Sequence, residues 1–106
     1  MDYNTYHKCM SNKLAELRKN IDMTDKKIVR LMSQRFKLTK KVGIYKRINR
    51  IKPYDRKREL EMMKKRTDWG NRMGLDENFI KKLFRMITKE VRKNHKELAG
   101  KKYGKK

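Results

Sequence analysis

Apolar residues at Leu14, Leu17, Ile21, Ile28, Leu31, Leu38 and Val42 recur at three-, four- and seven-residue steps, and no proline interrupts the chain until Pro53. That spacing is the signal of a helix with one apolar face. Gly43 is the single weak point inside it, at about 1 kcal/mol relative to Ala. The pattern predicts one helix from about 12 to 48, which at 1.5 Å per residue is roughly 55 Å long. A stripe of that length needs covering. A chain of 106 residues, 36% apolar and 42% charged, has little of its own to cover it with. Thin core and overlong helix together favour a dimer.

The rest of the chain reads as two shorter helices. Residues 49–55 form a turn, because Pro53 disfavours helix at Lys52 and Asp55 is a good N-cap. A second helix is expected from about 56 to 70, with Leu60, Met62, Met63 and Trp69 as apolar contacts and with Gly70 and Gly74 bracketing its end. Asp76 caps a third, which carries Phe79, Ile80, Leu83, Phe84, Ile87 and Val91 at helical spacing. Strand signals and internal repeats are missing. The expected fold is all-α: a loosely held leader over 1–11, one helical domain over 12–98, and a frayed basic tail over 99–106. One Pro, five Gly and one Cys exclude collagen-like and disulfide-scaffold classes. No apolar run is long enough for a membrane span or a secretory segment. The lone Cys9 fits a reducing compartment, most simply the cytoplasm.

Thirty-three Lys and Arg stand against 12 Asp and Glu, a net charge of +21. Such a surface attracts polyanions and small anionic ligands without saying which. The excess is concentrated over 37–58, with ten basic residues against one Asp, and over 89–106, with eight against two Glu. A charge run is most often a solvated face.

More informative is where the apolar seam breaks. One column of the long helix reads Leu14, Ile21, Ile28, Arg35, Val42, and its neighbour reads Arg18, Asp25, Met32, Thr39, Lys46. Arg18, Arg35 and Lys46 therefore point toward the side the helix buries. An unpaired charge there is costly, so each needs a partner or an anionic ligand, unless it snorkels out to water. Arg35 and Lys46 are about 16 Å apart along the axis, so two long side chains leaning together can hold opposite ends of one small ligand. Arg18 lies about 25 Å from Arg35 and joins them only from an antiparallel second copy. At the start of the second helix, Asp55 reads as a cap and Arg58 and Glu59 fall in the first turn. Glu there is favoured by the helix dipole whatever its function, and it is also well placed to accept from a ligand hydroxyl. Asn94 and His95 sit at the edge of the third helix's apolar column, where a histidine is more often structural. His7 and Cys9 have nothing nearby to complete a metal site, and no phosphate loop or nucleophilic triad is present.

The succession LRKNID (17–22), Asp25, IVRLMSQR (28–35), VGIYK (42–46), YDRKRE (54–59), then GLD and FIKKLF (74–84) resembles the AroQ-class chorismate mutases over about residues 14–96. The resemblance implies three helices per chain, interlocked with a second copy into a homodimer with two equivalent sites. It implies a cofactor-free and metal-free Claisen rearrangement of chorismate to prephenate in aromatic amino acid biosynthesis. By the same resemblance Arg35 grips one substrate carboxylate and Arg18 of the neighbouring subunit the other. Lys46 donates to the ether oxygen of the breaking bond, Glu59 accepts from the ring hydroxyl with Asp55 on the same side, and Arg58 adds positive potential.

Two positions depart from the family's pattern. The third-helix Gln that also donates to the ether oxygen falls on His95, and a small polar residue one turn earlier is Val91. Neutral His donates one hydrogen bond and imidazolium a stronger one, so His95 is expected to replace Gln with turnover improving as pH falls. Loss of the polar contact at Val91 is expected to raise KM. The nearest rival, an isochorismate-pyruvate lyase of the same fold, lacks the Glu that Glu59 supplies here. A basic nucleic-acid-binding helical protein would account for the charge, and its mark is steeply salt-dependent polyanion binding. A scaffold whose seam cations merely pair with Asp25 and Glu59 is the third reading. The charge excess itself is read as a lineage or solubility feature with incidental polyanion affinity.

Overall fold

The computed structural model describes the backbone of residues 3–100 and the side chains of residues 10–98. It contains three helices: α1 (Tyr3–Ile48), α2 (Arg56–Arg72) and α3 (Glu77–Gly100). No strand occurs among the described residues. The all-α, one-long-two-short architecture is therefore as the periodicity implied. The chain divides into two compact units, residues 1–36 and 37–106.

Helix α1 begins at Tyr3, well before the expected start near 12. Residues 3–11 carry no Pro or Gly, and an existing helix extends through such a segment at little cost even where it has no apolar face to bury. Residues 101–106, most of the expected basic tail, lie outside the described residues.

In the first unit the seam of α1 is open. Leu14, Leu17, Ile21, Ile28 and Leu31 are all exposed, and among the described side chains of this unit only Met32, Arg35 and Phe36 are half-buried. The second unit has a small core of Met62, Ile80, Ile87 and Leu98. Helices α2 and α3 pack tightly where Gly70 faces Ile80: a Cβ at Gly70 would stand 2.6 Å from Ile80 Cγ1. Gly70 thus lies inside α2 rather than at its end, because the close helix crossing, not the chain reversal, requires it.

The reversal is made by Gly74, whose φ of +77° is the left-handed conformation glycine favours. Leu75 N–H bonds the Gly70 carbonyl at 2.8 Å and Gly74 N–H the Asn71 carbonyl at 3.2 Å, which closes the end of α2 in a Schellman motif. Helix α1 ends the same way: Ile51 N–H reaches the Lys46 carbonyl at 2.8 Å and Arg50 N–H the Arg47 carbonyl at 3.3 Å. There the left-handed residue is Arg50, at φ 54°. Both predicted caps form. Asp55 accepts from Arg58 N–H at 3.1 Å, and Asp76 accepts from Phe79 N–H at 2.9 Å.

Candidate active site

Within the second unit, the last turns of α1 and the start of α2 bring several of the sequence-predicted residues to one end. Lys46, half-buried in the last turn of α1, donates from Nζ to the Pro53 carbonyl at 3.2 Å. That contact bridges the turn two residues ahead of Asp55. The Asp55 cap fixes the first turn of α2, which carries exposed Arg58 and half-buried Glu59. Asp55 is spent partly on this cap, as its position in the sequence implied. Tyr54 is held to α3 by Arg92, whose guanidinium carbon lies 5.0 Å from the ring centroid. Stacking of this kind contributes about 0.5–1 kcal/mol at an exposed site.

Helix α3 supplies Val91 and His95, both half-buried. His95 is turned onto α1: its Nε2 lies 2.9 Å from the Thr39 carbonyl. A carbonyl oxygen only accepts, so Nε2 carries the proton in this contact. The ring lies against Gly43, where a Cβ would meet Nε2 at 2.8 Å and Cδ2 at 2.9 Å. Thr39, Gly43 and Lys46 fall at i, i+4 and i+7 on α1 and so share one face. Three residues after His95, the Leu98 carbonyl accepts from Arg47 Nη1 at 3.5 Å.

The remaining predicted residues lie in the first unit. Arg35 is half-buried and Arg18 is exposed, seventeen residues apart on continuous α1, about 25 Å. One chain cannot bring both guanidinium groups onto one small ligand.

Sequence reasoning missed Thr39 and Gly43 as functional surroundings. The available signal was a glycine inside a helix, which often marks a close approach. It also missed Arg66, which lies 5.6 Å from the centroid of Trp69 and 5.2 Å from that of Phe84 while donating to the Met62 carbonyl at 3.0 Å. This cation belongs to α2–α3 packing. Among the described residues no three His, Cys, Asp or Glu side chains cluster as metal ligands, and no helix is long and apolar enough to cross a membrane.

Residues 17–96 match the sequence model of a family described as chorismate mutase type II. The chain belongs to that family. All eight residues singled out above, from Arg18 to His95, fall inside the matched span. A bifunctional chorismate mutase/prephenate dehydratase of Buchnera aphidicola subsp. Schizaphis graminum is 33% identical over 90 residues, which is 85% of this chain. The match covers 23% of that relative's length, so this chain corresponds to under a quarter of it.

Proposed function

We propose that the protein is a chorismate mutase, converting chorismate to prephenate without cofactor or metal, as an intertwined homodimer in the cytoplasm. What supports this reading is the match of residues 17–96 to the family model, which spans Lys46, Asp55, Glu59 and His95, all of them in the second unit.

The rearrangement is intramolecular: the ether C–O bond breaks as a C–C bond forms, with no proton or leaving group to move. The protein has only to fold a flexible dianion into a compact reactive conformer and to oppose the charge that develops. Arg35 takes one carboxylate. Arg18 takes the other from the second copy, since its distance from Arg35 forbids sharing within one chain. Lys46 meets the negative charge growing on the ether oxygen, Glu59 accepts from the ring hydroxyl, and Arg58 strengthens the local positive potential. His95 stands where the family's pattern has Gln, and Val91 contributes shape without a polar contact.

A second copy is also supported by surface. Leu14, Leu17, Ile21, Ile28 and Leu31 along the seam of α1 are 47–61% exposed, and obligate homodimers commonly bury about 2,000 to 5,000 Å² of such surface.

The test follows loss of chorismate absorbance with product identified by chromatography, with Arg35→Ala beside the parent. Prephenate from the parent and none from the variant supports the reading. Salicylate and pyruvate from isochorismate would make the protein a lyase instead. Turnover of neither substrate, with steeply salt-dependent nucleic-acid binding, would replace it with the polyanion-binding reading.

A further inference from the structure

The contact between His95 and α1 assigns a role to a residue without a side chain. Three atoms of the imidazole crowd the place a β-carbon on residue 43 would take: Nε2 at 2.8 Å, Cδ2 at 2.9 Å and Cε1 at 3.1 Å from it. Real Cβ contacts are essentially never shorter than 3.0 Å, so the first two mean that even alanine at 43 displaces the ring. The same approach gives Nε2 its 2.9 Å contact with the Thr39 carbonyl, one helical turn before Gly43. In a regular helix that carbonyl already accepts from residue 43's own N–H, and its second lone pair is reachable from the side only if the neighbouring side chain is small.

We infer that Gly43 is a positioning residue: its bare α-carbon and the Thr39 carbonyl form a seat that fixes His95 as its Nε2–H tautomer. Nδ1 is then the ring nitrogen left for a ligand. In the neutral ring Nδ1 is an acceptor, suited to a ligand hydroxyl; only the imidazolium donates from it. A glutamine amide carries its own donor at any pH, so His95 is not a simple substitute for Gln. The seat also explains why a glycine, less favourable than alanine in a helix interior, stands inside the long helix. The catalytic consequence rests on the proposed mutase reading; the seat itself does not.

Two measurements test it. Nitrogen-15 NMR of the histidine side chain in the whole protein reads the tautomer directly. The neutral ring is expected as Nε2–H, and Gly43→Ala is expected to abolish that preference while helix content by circular dichroism is kept. A parent ring in the Nδ1–H form, or an unchanged spectrum in Gly43→Ala, overturns the seat. In chorismate turnover, Gly43→Ala is expected to lower kcat roughly 10- to 100-fold, the scale of a small misplacement of a catalytic group. In a His95→Ala background the same substitution is expected to change kcat less than about 2-fold, because the ring it displaces is gone. Equal losses in both backgrounds overturn the positioning role. A parent without mutase activity that nevertheless shows the Nε2–H tautomer and its loss in Gly43→Ala upholds the seat and ends the mutase reading.

Discussion

Replacing Ile28 by alanine separates a chain that stands alone from one that is half of a dimer. Ile28 lies in the seam of α1 and is 53% exposed in the single chain. Complete burial of such a side chain contributes about 1.5–3 kcal/mol. A lone chain therefore realises less than half of that, and truncation costs about 1 kcal/mol, less the few tenths that alanine gains in helix propensity. Against a second copy the same side chain becomes core. Its truncation then costs about 2–5 kcal/mol per chain, incurred twice in each dimer. Urea unfolding of parent and variant at two protein concentrations, with light scattering for mass, reads both quantities. The expected parent is dimeric with a midpoint that rises with concentration, and Ile28→Ala is expected to lose at least about 2 kcal/mol per chain and to shift toward monomer. A loss under about 1 kcal/mol with a concentration-independent midpoint would refute the covered-seam argument.

Four further outcomes follow from the same structure. Lys46→Ala is expected to lower kcat by about two to three orders of magnitude while leaving the unfolding midpoint near the parent's, since its one bond to the Pro53 carbonyl is at the surface. Gly70→Ala, whose Cβ would stand 2.6 Å from Ile80 Cγ1, is expected to destabilise by about 1–3 kcal/mol in urea titration. Arg50→Gly relieves a left-handed backbone at φ 54° and is expected to raise stability by about 0.5–1 kcal/mol; a loss would mean that the arginine side chain outweighs the strain. Because the Thr39 carbonyl occupies Nε2–H, the neutral ring has no donor left for an ether oxygen, so His95→Gln is expected to raise kcat, and a fall in kcat counts against that reading of the contact.

Much of the fold was legible because it rests on signals local to the chain. The apolar steps from Leu14 to Val42 specified α1, and Asp55 and Asp76 announced the starts of α2 and α3 by the hydrogen bonds their carboxylates make. Ends without a chemical stop were not legible: nothing between Tyr3 and Ser11 forces a helix to begin, so absence of an apolar face was mistaken for absence of helix. Gly70 was misread as a terminator because the distance to Ile80 that requires it exists only after α2 and α3 pack. Arg50 gave no warning of its left-handed φ, since arginine is not a turn residue. For the site, charges interrupting an apolar seam were visible in the column spacing, and so was the separation of about 25 Å between Arg18 and Arg35 along one helix. The tautomer of His95 was not, because it depends on a carbonyl 56 residues away in sequence.

The central claim is that seam cations hold a dianion for rearrangement, and chorismate turnover by the parent beside Arg35→Ala tests it most directly. Prephenate from the parent, with loss of that activity in a variant that still folds, is the predicted result. A parent that leaves chorismate untouched, or an Arg35→Ala protein that turns it over as fast as the parent, would contradict it.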